Sequence, residues 1–191
     1  MLLYIHGFNS SPHSWKAELL RQKLEATGCG AEFVAPALPH RPARAAELLE
    51  ALATRHPGAA LVGSSLGGYY ATWLAERRAL KAALINPAVR PYDLLVGMLG
   101  PQKNFHTGQQ YELTRTHIDE LRALEVEHIS PERYLLLAAT GDETLDYRQA
   151  VERYSRCRQL IIDGSDHALS NFGEYLDLVL DFCGMGRSPK P

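Results

Sequence analysis

The chain has 191 residues, 46% of them hydrophobic and 22% charged, with a formal net charge of -2. That length fits one domain with a substantial core, and the near-neutral balance with dispersed basic residues excludes a general affinity for nucleic acid or anionic membrane. Cys29, Cys157 and Cys183 lie too far apart for a Cys-x-x-Cys metal pair or a disulfide framework, no run approaches the roughly 20 apolar residues that span a bilayer, and the first residues hold no basic leader, so a soluble cytoplasmic protein is expected.

Leu2-Leu3-Tyr4-Ile5 is wholly apolar and stops at His6-Gly7, which predicts a strand buried on both faces and running into a turn. His6 to Pro12 is dense in turn residues. Ser14 is a candidate cap for a helix with Trp15, Leu19, Leu20 and Leu24 at helical spacing. A second strand is expected over residues 31–38, closed by Pro39. A helix then follows from Pro42, with Ala45, Leu48, Leu49 and Leu52 on one face and its end near His56-Pro57-Gly58.

Residues 59–74 read as a strand, a glycine-rich corner and a helix. Gly63-Ser64-Ser65-Leu66-Gly67 fits Gly-x-Ser-x-Gly, the turn that exposes a serine hydroxyl at a strained strand-to-helix corner. Ser65 takes the nucleophile position, and Gly63 and Gly67 stand where a side chain would strike the neighbouring strand or helix. A helix starting at Leu66 aims free backbone N–H groups and its positive dipole end at any oxyanion formed on a carbonyl attacked by Ser65.

Further strands are predicted over 81–85, 134–139 and 159–162, with helices over 146–154 and 172–182. Short apolar strands alternating with amphipathic helices imply a parallel sheet covered on both faces, with reactive groups gathered beyond the carboxyl ends of its strands. Residues 90–130 break this rhythm. Helices are expected around 92–99 and 112–124, and the segment reads as a small helical cap, the alternative being a surface excursion away from substrate. The tail from Gly184 is expected to be frayed, with 187–191 flexible.

A serine hydroxyl needs a base, and the base needs an orienting acid. His167, in the loop after the last strand, and Asp142, at the end of the strand before it, follow Ser65 in the chain order of α/β-hydrolase triads. Glu143, Asp146, Asp163 and Asp166 compete with Asp142. Of the eight histidines only His6 and His167 fall at predicted strand ends beside turn glycines, and His6 reads as a support for its loop. The loop His6-Gly7-Phe8 makes the Phe8 N–H the partner of the Leu66 N–H in an oxyanion hole. Leu95, Met98, Leu99 and Phe105 are candidates for an acyl pocket, or equally for the cap's own core. Neither a phosphate-binding lysine loop nor a metal-ligand cluster is present, so no bound nucleotide and no metal are expected.

Five separated stretches, His6 to Pro12, Gly63 to Ala71, Asn86 to Pro91, Thr107 to Tyr111 and Thr140 to Tyr147, together resemble the small bacterial α/β-hydrolases of the YqiA-type esterase family. The resemblance covers nearly the whole chain. It implies a three-layer α/β-hydrolase fold trimmed to six strands, a single domain over 1–186, and a cofactor-free carboxylesterase or thioesterase with Ser65 as nucleophile, Asp142 as acid and His167 as base. In a thioesterase, Arg90 or Lys103 would meet substrate phosphates. A ligand-binding protein with an idle triad is another alternative, as is a cofactor-free perhydrolase or carbon–carbon bond hydrolase, for which no specific residue argues.

Overall fold

The computed structural model describes residues 1–186. Along the chain it forms β1 (Leu2–Ile5), α1 (Trp15–Ala26), β2 (Phe33–Val34), α2 (Pro42–Arg55), β3 (Ala60–Ser64), α3 (Leu66–Arg78), β4 (Ala82–Ile85) and α4 (Pro91–Leu95). These are followed by β5 (Gly100–Lys103), β6 (Gln110–Leu113), α5 (Arg115–Arg122), β7 (Tyr134–Ala139), α6 (Tyr147–Arg153), β8 (Arg158–Ile162) and α7 (Leu176–Phe182). Six strands make one parallel sheet in the order β2-β1-β3-β4-β7-β8.

The central strands are apolar but for Ser64 at the end of β3, because both of their faces are covered. Leu3, Ile5, Leu61, Leu84 and Leu136 point into one core with α2 and α3, while Leu2, Tyr4, Val62, Ile85 and Leu137 point into the other with α1 and α7. Alternate residues of a strand face opposite sides, so a continuous apolar run is what two helical layers require. The chain runs from β1 outward to β2, then returns past β1 to β3 and β4. The sheet therefore reverses its winding between β1 and β3, and a crevice opens beyond their carboxyl ends.

The strand expected over 31–38 is reduced to the pair Phe33–Val34, preceded by a 3-10 turn at Gly30–Glu32. Pro36 and Pro39 have no N–H to give to the β1 ladder, and pairing stops at Val34, ahead of both. The chain still runs beside β1, since the Leu38 N–H donates to His6 Nε2 at 3.1 Å. At the far end, the expected helix over 172–182 begins as a 3-10 turn, Phe172–Tyr175, before α7. Gly184, with φ 76°, closes α7: its N–H reaches the Asp181 carbonyl and that of Met185 the Leu180 carbonyl. Fraying is thus absent at Gly184 and Met185, and the tail expected over 187–191 lies outside the described residues.

The segment between β4 and β7 departs from the purely helical expectation. Helix α4 stops at Leu95 and gives way to a 3-10 turn, Val96–Met98. The polar stretch beyond it is an antiparallel hairpin, β5 pairing β6 in the register Gly100↔Leu113 and Lys103↔Gln110. Helix α5 consequently begins at Arg115, after Thr114, whose N–H donates to His117 Nδ1 at 3.1 Å. Among the described residues no helix is long and apolar enough to cross a membrane.

Candidate active site

The corner between β3 and α3 is built by close backbone approach. A Cβ on Gly63 would lie 2.5 Å from the Gly67 carbonyl oxygen and 2.8 Å from the Ala71 Cβ, and one on Gly67 would run into the Ile5 carbonyl. Because no side chain intervenes, α3 packs directly over the ends of β1 and β3. Ser65 is left at φ 55°, ψ -122°, a conformation that costs an L-residue about 1–3 kcal/mol. Its backbone is anchored on both sides: its N–H donates to the Ile85 carbonyl, and its own carbonyl accepts from the Gly68 and Ala88 N–H groups.

The Ser65 hydroxyl stands 3.0 Å from His167 Nε2. The opposite ring nitrogen, Nδ1, lies 2.8 Å from Asp142 Oδ2 and 3.0 Å from Oδ1. The Asp142 side chain is 1% exposed and that of His167 21%, so the imidazole alone bridges from the interior to the crevice. Burial pushes the Asp142 carboxyl upward, but the His167 ring and the Leu145 and Thr144 N–H groups outweigh it and hold the acid below its ordinary value.

The competing carboxylates all have other partners. Glu143 accepts from the His167 backbone N–H, Asp146 caps α6 through the Arg148 N–H, Asp163 accepts from the Thr140 hydroxyl, and Asp166 accepts from the Ser170 N–H and hydroxyl. His6 meets neither Ser65 nor Asp142 in a hydrogen bond. Its Nδ1 lies 3.0 Å from the Gly7 carbonyl and its Nε2 receives the Leu38 N–H, which fixes the loop after β1. Burial, more than the opposing Gly7 carbonyl contact, holds the His6 pKa down and keeps the ring neutral.

That loop carries Phe8 past the corner, with Gly7 so close that an added Cβ would sit 3.2 Å from the Ser65 Cβ. Among the described residues, neither the Phe8 nor the Leu66 N–H donates to another backbone group, and both residues line the crevice. The hairpin is tied to the same loop. Asn9 accepts from the Tyr111 hydroxyl, gives its amide to Gln102 Oε1 and takes the Phe105 N–H on its carbonyl, while Asn104 Nδ2 donates to the Ser10 carbonyl.

A cavity of about 290 Å³ opens over Ser65 and His167. Leu95, Met98 and Phe105 line it as expected from the sequence. Leu99 does not, because the chain turns away from the cavity into β5 at that point. Leu94 and Leu145 line it without having been singled out, although Leu145 lies inside a motif that carried the family resemblance. Phe105, 82% exposed, stands at the hairpin tip. Arg90 lies at the cavity wall and is bound to Asp93 at 3.0 Å, whereas Lys103 belongs to the hairpin and does not reach the cavity. Among the described residues no cluster of His, Cys, Asp or Glu is arranged to hold a metal ion.

A family model described as an uncharacterised protein family, UPF0227, matches residues 1–184. Among solved structures, a proposed hydrolase from Agrobacterium vitis S4 superposes with a TM-score of 0.76 at 19% identity, over 95% of this chain and 87% of that one. Mouse alpha/beta hydrolase domain-containing protein 10 does so with 0.70 at 18% identity, over 94% and 89%. Est1E from Butyrivibrio proteoclasticus, with ferulic acid bound, gives 0.67 at 18% identity, over 95% and 86%. The architecture is the α/β-hydrolase fold.

Proposed function

Because this chain belongs to the uncharacterised protein family UPF0227, we propose that it is a serine hydrolase that cleaves carboxylic esters through an acyl-enzyme on Ser65. The observation that carries this reading is the relay of contacts in which one imidazole lies within 3.0 Å of a strained serine hydroxyl and 2.8 Å of a buried carboxylate.

In the first step His167 Nε2 takes the Ser65 proton as Oγ bonds to the ester carbonyl carbon, and the carbonyl electron pair moves onto oxygen. The Phe8 and Leu66 N–H groups hold that oxyanion, each contributing about 3–4 kcal/mol of transition-state stabilisation. The intermediate collapses, the carbon–oxygen bond to the alcohol breaks, and the imidazolium returns its proton to the leaving oxygen. Water, deprotonated by His167, then releases the acid and restores Ser65. Asp142 fixes the tautomer that leaves Nε2 free to accept and stabilises the imidazolium. Residues 90–130 act as a cap in this scheme, and the apolar lining from Leu95, Met98 and Phe105 receives the acyl chain. The three free cysteines suit a reducing compartment, in keeping with a cytoplasmic enzyme.

A thioester is the second reading, favoured by Arg90 at the cavity wall, where a phosphate-bearing leaving group would meet it. Rates on matched oxygen and sulfur esters separate the two. Turnover itself separates both from a ligand-binding protein with an idle triad. The decisive experiment is Ser65→Ala: labelling by a fluorophosphonate disappears and kcat falls by about 10^4- to 10^6-fold while the protein stays folded. A variant still labelled at the wild-type rate refutes the assignment.

A further inference from the structure

We propose that Asn86 is the positioning residue that holds the histidine and aspartate loops in register with the serine corner. This rests on the reading of Ser65, His167 and Asp142 given above. Asn86 follows β4, is 3% exposed, and has φ 41°, in the left-handed region where asparagine and aspartate are enriched. Its side chain uses both ends. Oδ1 accepts the Ala139 N–H at 2.9 Å, at the end of the strand that leads to Asp142. Nδ2 donates to the carbonyls of Asp166 and His167, each at 3.0 Å. On the third side, two residues along the chain, the Ala88 N–H binds the Ser65 carbonyl at 3.1 Å. One amide thus touches the loops that carry two members of the triad from a strand end joined to the third.

The residue type follows from these contacts. Glycine would accept the backbone conformation but leave the Ala139 N–H and the His167 carbonyl unpaired, the Asp166 carbonyl keeping only the Leu169 N–H. Aspartate would also accept the conformation, but it would set a carboxylate oxygen against two carbonyl oxygens. Only a primary amide on a short stem donates twice and accepts once here. Asn86 does not reach the reacting atoms; it acts through the placement of the His167 ring, where an error of about 1 Å lowers the rate by about 10^2-fold.

The test is Asn86→Asp, with Asn86→Ser as a second variant should the first fail to fold, read on p-nitrophenyl hexanoate and on fluorophosphonate labelling of Ser65. Tyr154→Phe serves as a control: it removes a buried hydrogen bond to Thr72, well along α3 from Ser65, and lowers stability, and the Tyr154 hydroxyl bonds neither loop. The expected result is a kcat and labelling rate down by about 10^2-fold with KM within about two-fold. In Asn86→Asp the ratio of variant to wild-type kcat falls further as pH rises, because ionising the new carboxyl repels both carbonyls. Asn86 variants labelled as fast as Tyr154→Phe, or a ratio flat with pH, overturn the proposal while leaving the hydrolase reading intact. A wild-type chain that neither turns over nor labels overturns that reading, and this proposal with it.

Discussion

The serine corner and the histidine loop reach the same few ångströms of space by different means. The corner is fixed by absence: Gly63 and Gly67 remove side chains so that α3 sits against β1 and β3, and no side chain caps the helix start. The histidine loop is held by presence, through side chains delivered from elsewhere. Lys16 Nζ donates to the Ala168 carbonyl at 2.6 Å across 152 positions, Glu143 binds the His167 N–H, and the Ser165 hydroxyl meets Asn171 Oδ1. A corner made by backbone contact has no adjustable part. A loop held by side chains loosens by degrees as they are removed.

Substitutions at the two regions should therefore fail differently. Gly67→Ala has the largest effect, since the new Cβ cannot share space with the Ile5 carbonyl and would sit 2.7 Å from that of His6. Soluble folded protein should be lost, and a variant with an unchanged melting temperature would break the contrast at its stronger side.

Asp142→Asn comes next. It keeps the shape and presents the wrong tautomer, so kcat should fall by about 10^2- to 10^4-fold with the fold retained. Asp142 also gives the wild type an acid-sensitive contribution. Its folded pKa lies below its unfolded value of about 3.9, so the stabilisation is complete above that value and is lost as pH falls through the lower folded one. Acid titration followed by circular dichroism should show this loss in the wild type and not in Asp142→Asn.

Lys16→Met is the mildest test and sharpens the view of a graded loop. Burial holds the Lys16 ammonium down to about 8, against the pull of Asp166 and Asp142. Kcat at pH 7 should drop by about three- to ten-fold, the loss of roughly one charge-assisted hydrogen bond. The gap should narrow above pH 8 as the wild-type ammonium discharges, and a pH-rate comparison of the two proteins reads it directly.

The same contrast explains what could be read from the sequence. Contacts of backbone on backbone leave a local signature, glycines two before and two after Ser65, and apolar runs such as Leu2–Ile5 and Tyr134–Ala139 announce strands because both of their faces are buried. Distant side chains leave no such trace: nothing near Lys16 in sequence points to Ala168. The hairpin was illegible for another reason. Gly100–Lys103 and Gln110–Leu113 form a two-stranded ribbon with mostly exposed or half-exposed residues, so no apolar alternation marks it. Leu99 was misplaced with it, since a helix carried through to that residue would have turned it toward the cavity.

The Asn9 contacts have a mechanical consequence. The hairpin tip that carries Phe105 and the loop that presents the Phe8 amide are laced together through Asn9 and Ser10, so neither can swing alone. Under the proposed mechanism, an acyl group long enough to lever the tip outward would drag the Phe8 N–H, the proposed oxyanion donor, off its mark. Chain-length discrimination would then surface as slowed chemistry on oversized esters rather than as weaker capture of them.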